Sequence, residues 1–193
     1  MIVRRASALS LLLLVSFPFA GLAAPAAKRV QTRPAMADSA SVVAMLGGVT
    51  NGACPYTGVA TGGQPSEAHL VSLAKAGYTT VLDLRMPDEP RGMDEAAVAR
   101  RAGLAYETLP FVAGTLDDAV FTRFRTILRT RGNGVFVHCA SANRVNAVLV
   151  PWLVLDRGWS SERAFAVARA NGLRSPEMES KARDYIARHP AKR

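Results

Sequence analysis

Val135-Phe136-Val137-His138-Cys139-Ala140-Ser141-Ala142-Asn143-Arg144 reads as an apolar β-type run that ends in a cysteine, with an arginine five positions on at the mouth of an apolar helix. Backbone N–H groups of a loop that opens a helix converge on whatever lies above the sulfur. The helix dipole adds partial positive charge at the same place. Both effects favour the thiolate form of a cysteine, which is its nucleophilic form. Arg144 offers a rigid fork of donors that matches a tetrahedral oxyanion. The pattern therefore predicts an anion pocket built around a cysteine nucleophile, with the alternative that Cys139 is a core residue and Arg144 pairs with nearby acids.

Upstream of this stretch, strands and helices alternate. Ser66 caps a short helix with Leu70, Leu73 and Ala74 at helical spacing, and Gly77 ends it. Tyr78 to Leu84 is β-branched and aromatic and predicts a strand, which runs into a loop carrying Pro87 and Pro90. A helix over 94–102 and a strand over 104–109 follow. Thr115-Leu116-Asp117-Asp118 has capping-box form for a longer helix with Val120, Phe121, Phe124, Ile127 and Leu128 on its inner face. Beyond the cysteine loop, Val145 to Leu155 is almost wholly apolar, with Pro151 expected to kink it, and two further helices are expected over 161–170 and 176–188. This alternation predicts an α/β domain with a largely parallel sheet, whose ligands bind at the carboxyl ends of the strands.

The amino end has a different character. Arg4 and Arg5 precede Leu11-Leu12-Leu13-Leu14-Val15, and small residues follow at Ala20 to Ala26, the layout of a secretory signal peptide over residues 1–26. The apolar run is too short for a membrane anchor, so no stable span is expected once the leader is removed. A periplasmic or secreted location follows from that reading. Residues 27–58 are rich in Ala, Ser, Gly and Thr and read as a linker and irregular lead-in, which leaves 59–189 as the domain proper. The formal net charge of +9 suits anionic partners. Its arginines are dispersed without an aromatic stacking series, so nucleic acid is not an expected partner. Cys54 and Cys139 are the only cysteines, and Cys54 is either a passive loop residue or a resolving partner for Cys139.

Three ordered motifs carry a family likeness. His138-Cys139-Ala140-Ser141-Ala142-Asn143-Arg144, with Gly63-Gln64-Pro65-Ser66 upstream and Thr80-Val81-Leu82-Asp83-Leu84-Arg85 between, resembles the bacterial phosphatase-like domain found alone or fused to β-lactamase-like hydrolases. That domain is similar in turn to the dual-specificity and tyrosine phosphatases. The resemblance implies a three-layer phosphatase-like fold with a mainly parallel central sheet flanked by helices. It also implies hydrolysis of small phosphorylated or other anionic substrates through a phosphocysteine on Cys139, with Arg144 binding the phosphoryl oxygens and neither a metal nor another cofactor. Ala140, Ser141, Ala142 and Asn143 are then the substrate cradle, and His138 orients it. A general acid is expected from the loop over 111–118, with Asp117 as the candidate, although an aspartate there also favours the first turn of its helix.

Two departures keep other readings open. Four residues separate Cys139 from Arg144, where the usual tyrosine-phosphatase loop has five and rhodanese-type sulfurtransferases have four. Ala142 stands where many such loops have glycine, and alanine is strained by about a kcal/mol or more if that position needs a positive φ. A sulfurtransferase using a Cys139 persulfide, and an inactive anion-binding or interaction module, are the alternatives.

Overall fold

The computed structural model describes residues 35–189, so the expected leader lies outside the described residues. Five short strands form one sheet in the order β1-β2-β5-β3-β4. β1 (Ala53–Tyr56) runs antiparallel to β2 (Val59–Gly62), while β2, β5 (Val135–His138), β3 (Thr80–Asp83) and β4 (Ala105–Thr108) are mutually parallel where they pair. The parallel register is tight: Gly62 and Asp83 both sit opposite His138, so three strand ends meet beside Cys139.

Alternation along the strands divides the interior in two. Val59, Leu82, Val135 and Val137 face one core, built with α4 (Asp118–Arg131), α5 (Asn143–Arg157), α6 (Ser161–Ala170) and α7 (Pro176–Arg188). Ala60, Val81 and Phe136 face the other, built with α1 (Ser39–Met45), α2 (Glu67–Lys75) and α3 (Glu95–Arg101). A period-2 strand buried on both faces gives the three layers that the sequence pattern predicts. β5 is buried at every residue because it is the central strand and is covered on both sides.

The lead-in departs from expectation. Residues 27–58 were expected to be irregular, yet from Ser39 onward they carry α1 and β1. Asp38 caps α1 by accepting from the Ser41 N–H, and Val42 and Leu46 are buried against the second core. A helix this short is marginal on its own and is held by that packing, which composition does not register. β2 was likewise not expected, since Val59-Ala60-Thr61-Gly62 is too short to show alternation, although it is the strand beside β5. The two cysteines are both free thiols: Cys54 packs with the second core and Cys139 with the first.

Candidate active site

β5 ends at His138, the chain turns through Cys139 to Ala142, and α5 starts at Asn143, so the loop sits at the carboxyl end of the central strand. Main chain from other segments backs it. The Cys139 N–H donates to the Gly62 carbonyl at 3.3 Å, Gln64 N–H to Ala140 O at 3.4 Å, and the Asn51 side-chain amide to Ser141 O at 2.9 Å. Gly63 bridges to Ser141, and a Cβ at Gly63 would come within 2.7 Å of the Ala140 carbonyl oxygen, so only glycine allows this approach.

Ala142 adopts φ 66° and ψ 0°, the left-handed region, and is fully buried. The expected strain is therefore present. Asn146 holds it in place: its backbone N–H and side-chain amide both donate to the Ala142 carbonyl, at 3.0 and 2.9 Å, and the same side-chain amide reaches Asn171 O at 2.7 Å. Asn143 accepts from the Arg174 and Ser175 N–H groups and ties the start of α5 to the turn before α7.

Arg144 points back toward the loop mouth. Its two terminal nitrogens grip both oxygens of Glu89 at 2.6 and 2.7 Å, and one also donates to Phe111 O at 3.2 Å. The hydrogen bond from Arg144 draws the Glu89 carboxyl down to about 2, helped by the Met86 N–H. Arg144 shifts the opposite way, held in its charged form first by Glu89 and also by attraction to Cys139. Cys139 is 1% exposed, at the floor of a cavity of about 500 Å³ whose lining also includes Ser141, Asn143, Arg144, Met86, Asp88, Glu89, Val112, Ala113 and Met178.

The structure thus brings Cys139, Ser141, Asn143 and Arg144 to one cavity, with the Ala142 turn beneath them. It does not bring Asp117 there. That carboxylate caps α4 by accepting from the Val120 N–H, and it lines a separate cavity with Asp118, Lys181, Asp184 and Arg188. The acid role assigned to Asp117 is corrected on that ground: the capping position turns its side chain onto its own helix. Thr115, the other possible cap, instead accepts from the Val112 N–H.

Beneath the loop lies a polar layer in which sequence reasoning gave a role to His138 but missed Glu95. His138 is fully buried and stacks on Phe136, and its Nε2 lies 2.7 Å from Oε1 of the buried Glu95. The other oxygen of Glu95 accepts from the Gln64 amide at 2.8 Å. Asp83, also buried, accepts from the Arg85 N–H, from Arg91 and from the Tyr106 hydroxyl, each at 2.8 Å. Burial, and after it the bond to Asp83, raises the Tyr106 phenol. Asp83, Glu95 and His138 have ligand atoms within 4.8 Å of one another, the spacing of a metal set. The oxygens of Asp83 already receive three donors, and the neighbouring Arg91 guanidinium opposes a second cation there. The available signal for Glu95 was its place on the Glu95, Val98, Ala99 face of α3, a buried stripe at helical spacing.

No family model matches the chain. Over 119 residues it is 30% identical to a beta-lactamase hydrolase-like protein of Xylella fastidiosa, an alignment covering 60% of this chain and 28% of that protein. The chain therefore spans roughly a quarter of the length of the curated relatives it matches. A putative phosphatase (DUF442) of Shewanella putrefaciens superposes with a TM-score of 0.65 at 18% identity, covering 76% of this chain and 98% of that one. TpbA of P. aeruginosa, solved in complex with pTyr, gives 0.58 at 18% identity, with 81% and 90% covered. The described domain accordingly has the fold of the DUF442 and tyrosine-phosphatase-like structures, and the chain is a relative of the beta-lactamase hydrolase-like proteins over the matched segment.

Proposed function

We propose that this domain is an exported, cysteine-dependent phosphatase-like hydrolase of phosphate monoesters. The observation that carries the reading is the placement of Cys139 and the Glu89-locked Arg144 on one cavity at the carboxyl end of β5. In the proposed reaction the Cys139 sulfur attacks phosphorus as the ester P–O bond breaks, giving a phosphocysteine. Water then cleaves the S–P bond, releasing phosphate and restoring the thiol. Arg144 and the unpaired N–H groups of the loop and first turn of α5 bind the non-bridging oxygens, where charge is held in the transition state.

The leaving oxygen needs a proton. Glu89 is committed to Arg144, whereas the exposed Asp88 lines the same cavity, so Asp88 takes the acid role in this reading in place of Asp117. The pTyr bound to TpbA supports a small phosphorylated ligand for a site of this fold. Export to the periplasm or beyond rests on the Arg4-Arg5 and Leu11 to Val15 leader pattern. No helix among the described residues is long and apolar enough to cross a membrane.

The test is turnover of an aryl phosphate by the mature protein and by Cys139→Ser. Turnover is expected to vanish in the variant while vanadate binding persists, and activity surviving the change would sink the proposal. The four-residue loop keeps sulfur transfer as the second reading. Mass spectrometry after incubation with thiosulfate separates the two, since only a sulfur carrier gains one sulfur atom on Cys139.

A further inference from the structure

Beside the Cys139 cavity lies a second one, of about 450 Å³, where α6 meets the start of α7. Arg169, Arg174 and Arg183 line it with Ser175, Ser180 and one acid, Glu179. Three guanidiniums thus share one carboxylate, an excess of two positive charges. A concave surface of one sign of charge concentrates ions of the other.

The arginines are held in place. Arg169 and Arg183 each bond Glu179 through Nε, at 3.0 and 3.1 Å, and through Nη2. Both also lie over the Phe165 ring, Arg183 at 3.9 Å from its centroid. Glu179 therefore gathers two guanidiniums side by side, and neither Nη1 is hydrogen-bonded among the described residues. Arg174 forms no ion pair among those residues and donates only to the Gly172 carbonyl, at 3.3 Å. The remaining donors of these rigid forks match the oxygens of a phosphoryl group.

The first turn of α7 separates this cavity from the catalytic one. Asn143 and Met178 line the Cys139 side, while Arg174 and Ser175 line the other. The side-chain oxygen of Asn143 accepts from the N–H groups of Arg174 and Ser175 at 2.9 and 3.3 Å, and the Ser175 hydroxyl accepts from the Met178 N–H. A helix with its side chains is roughly 10 Å across, so anions in the two cavities lie about that far apart. The acids of the Cys139 cavity, Asp88 and Glu89, both belong to the loop after β3. They repel a second anionic group on that side, and the arginines draw it past α7. We propose that the cavity of Arg169, Arg174 and Arg183 is a subsite for a second anionic group of the substrate, a further phosphate or its like carried beyond the scissile one. The proposal rests on the phosphatase reading for the first phosphate.

Calorimetric titration of Cys139→Ser with octane-1,8-diol bisphosphate and with octyl phosphate tests it, because the pair differ only in the second anion. Two equivalent ends give the bisphosphate a statistical advantage of about twofold, and the subsite should raise this to about tenfold, less as salt rises. Propane-1,3-diol bisphosphate, too short to pass α7, should keep only the statistical advantage of about twofold. Arg174→Gln retains the backbone donor to Asn143 and should return the longer ligand to about twofold, and Arg174→Glu should remove its advantage altogether. Octyl phosphate should bind both variants within about twofold of the parent. A merely statistical advantage in the parent, or a larger one that neither substitution moves, overturns the subsite. If octyl phosphate does not bind, the phosphatase reading fails instead, and inorganic phosphate then decides the subsite. It should shift the Arg174 and Arg183 Nε–H NMR signals, and unshifted signals overturn the site. Shifted signals together with bound octyl phosphate but no bisphosphate advantage mean a separate anion site, which overturns the substrate role.

Discussion

Arg144 grips both oxygens of Glu89 at 2.6 and 2.7 Å, and Arg188 grips both oxygens of Asp118 at 2.6 and 2.8 Å. As contacts the pairs are nearly identical. They differ in surroundings: the side chains of Arg144 and Glu89 are 13% and 26% exposed, those of Arg188 and Asp118 57% and 44%. The first pair also sits over Cys139 and takes a further acceptor from Phe111, while the second joins two helices at the surface. Solvent screens the outer pair and leaves it little to do. The inner pair holds a guanidinium on the same cavity as the sulfur, where the proposed reaction needs it. Geometry of a salt bridge alone therefore says little about its role, and burial and neighbours decide it.

Four changes break or sharpen that contrast. Arg144→Lys keeps a positive charge but loses the fork, and aryl phosphate turnover should fall by roughly 10²- to 10³-fold, measured as kcat. Glu89→Ala removes the clamp and leaves Arg144 partly buried without its partner. A loss of about 1–3 kcal/mol in urea unfolding is expected, with a lower kcat as well.

Glu89→Gln adds a pH test. The folded-state value of Glu89 is depressed to about 2, so its contribution is complete above the ordinary carboxylate range and fades as the pH falls toward 2. The wild type should lose stability over that acid range more steeply than Glu89→Gln, as read by denaturation midpoints at successive pH values. Asp118→Asn, at the outer pair, should shift the melting temperature by no more than a few degrees and leave kcat unchanged. A large effect there would erase the distinction between the pairs.

Ala142→Gly probes the loop itself. Alanine in the left-handed region costs about 1–2 kcal/mol, partly offset by the greater unfolded-state freedom of glycine, so the variant should gain up to about 1 kcal/mol in urea unfolding. No gain would mean that Asn146 and the packing around the Ala142 methyl already absorb the strain.

What the sequence disclosed and what it withheld have separate physical origins. β5, the cysteine loop and α5 were legible because they are contiguous: a β-branched run, a polar turn and an apolar helix follow each other within one stretch. The same holds for α4, whose inner face repeats at helical spacing. α1, β1 and β2 were not legible because each is short, and long-range packing against α2, β5 and Tyr78 stabilises them. At the site, spacing alone exposed Cys139 and Arg144. Glu89, the partner of Arg144, and Glu95 and Gln64 beneath the loop come from other loops and ends, and only chain closure shows what each of them meets. Asp117 was open to two readings because a helix cap and a general acid look alike in one dimension, and the structure shows the cap.

The amide of Asn51 reaches the carbonyl of Ser141, ninety positions away in the chain, and Gly63 closes on the same loop. Contacts between such distant positions form only after long loops have closed, and non-local contacts of this kind slow folding. The cradle for Cys139 is therefore assembled from both ends of the domain rather than within its own hairpin of strand and helix. During refolding from denaturant, oxyanion binding should return with the slowest phase, after the helices have formed.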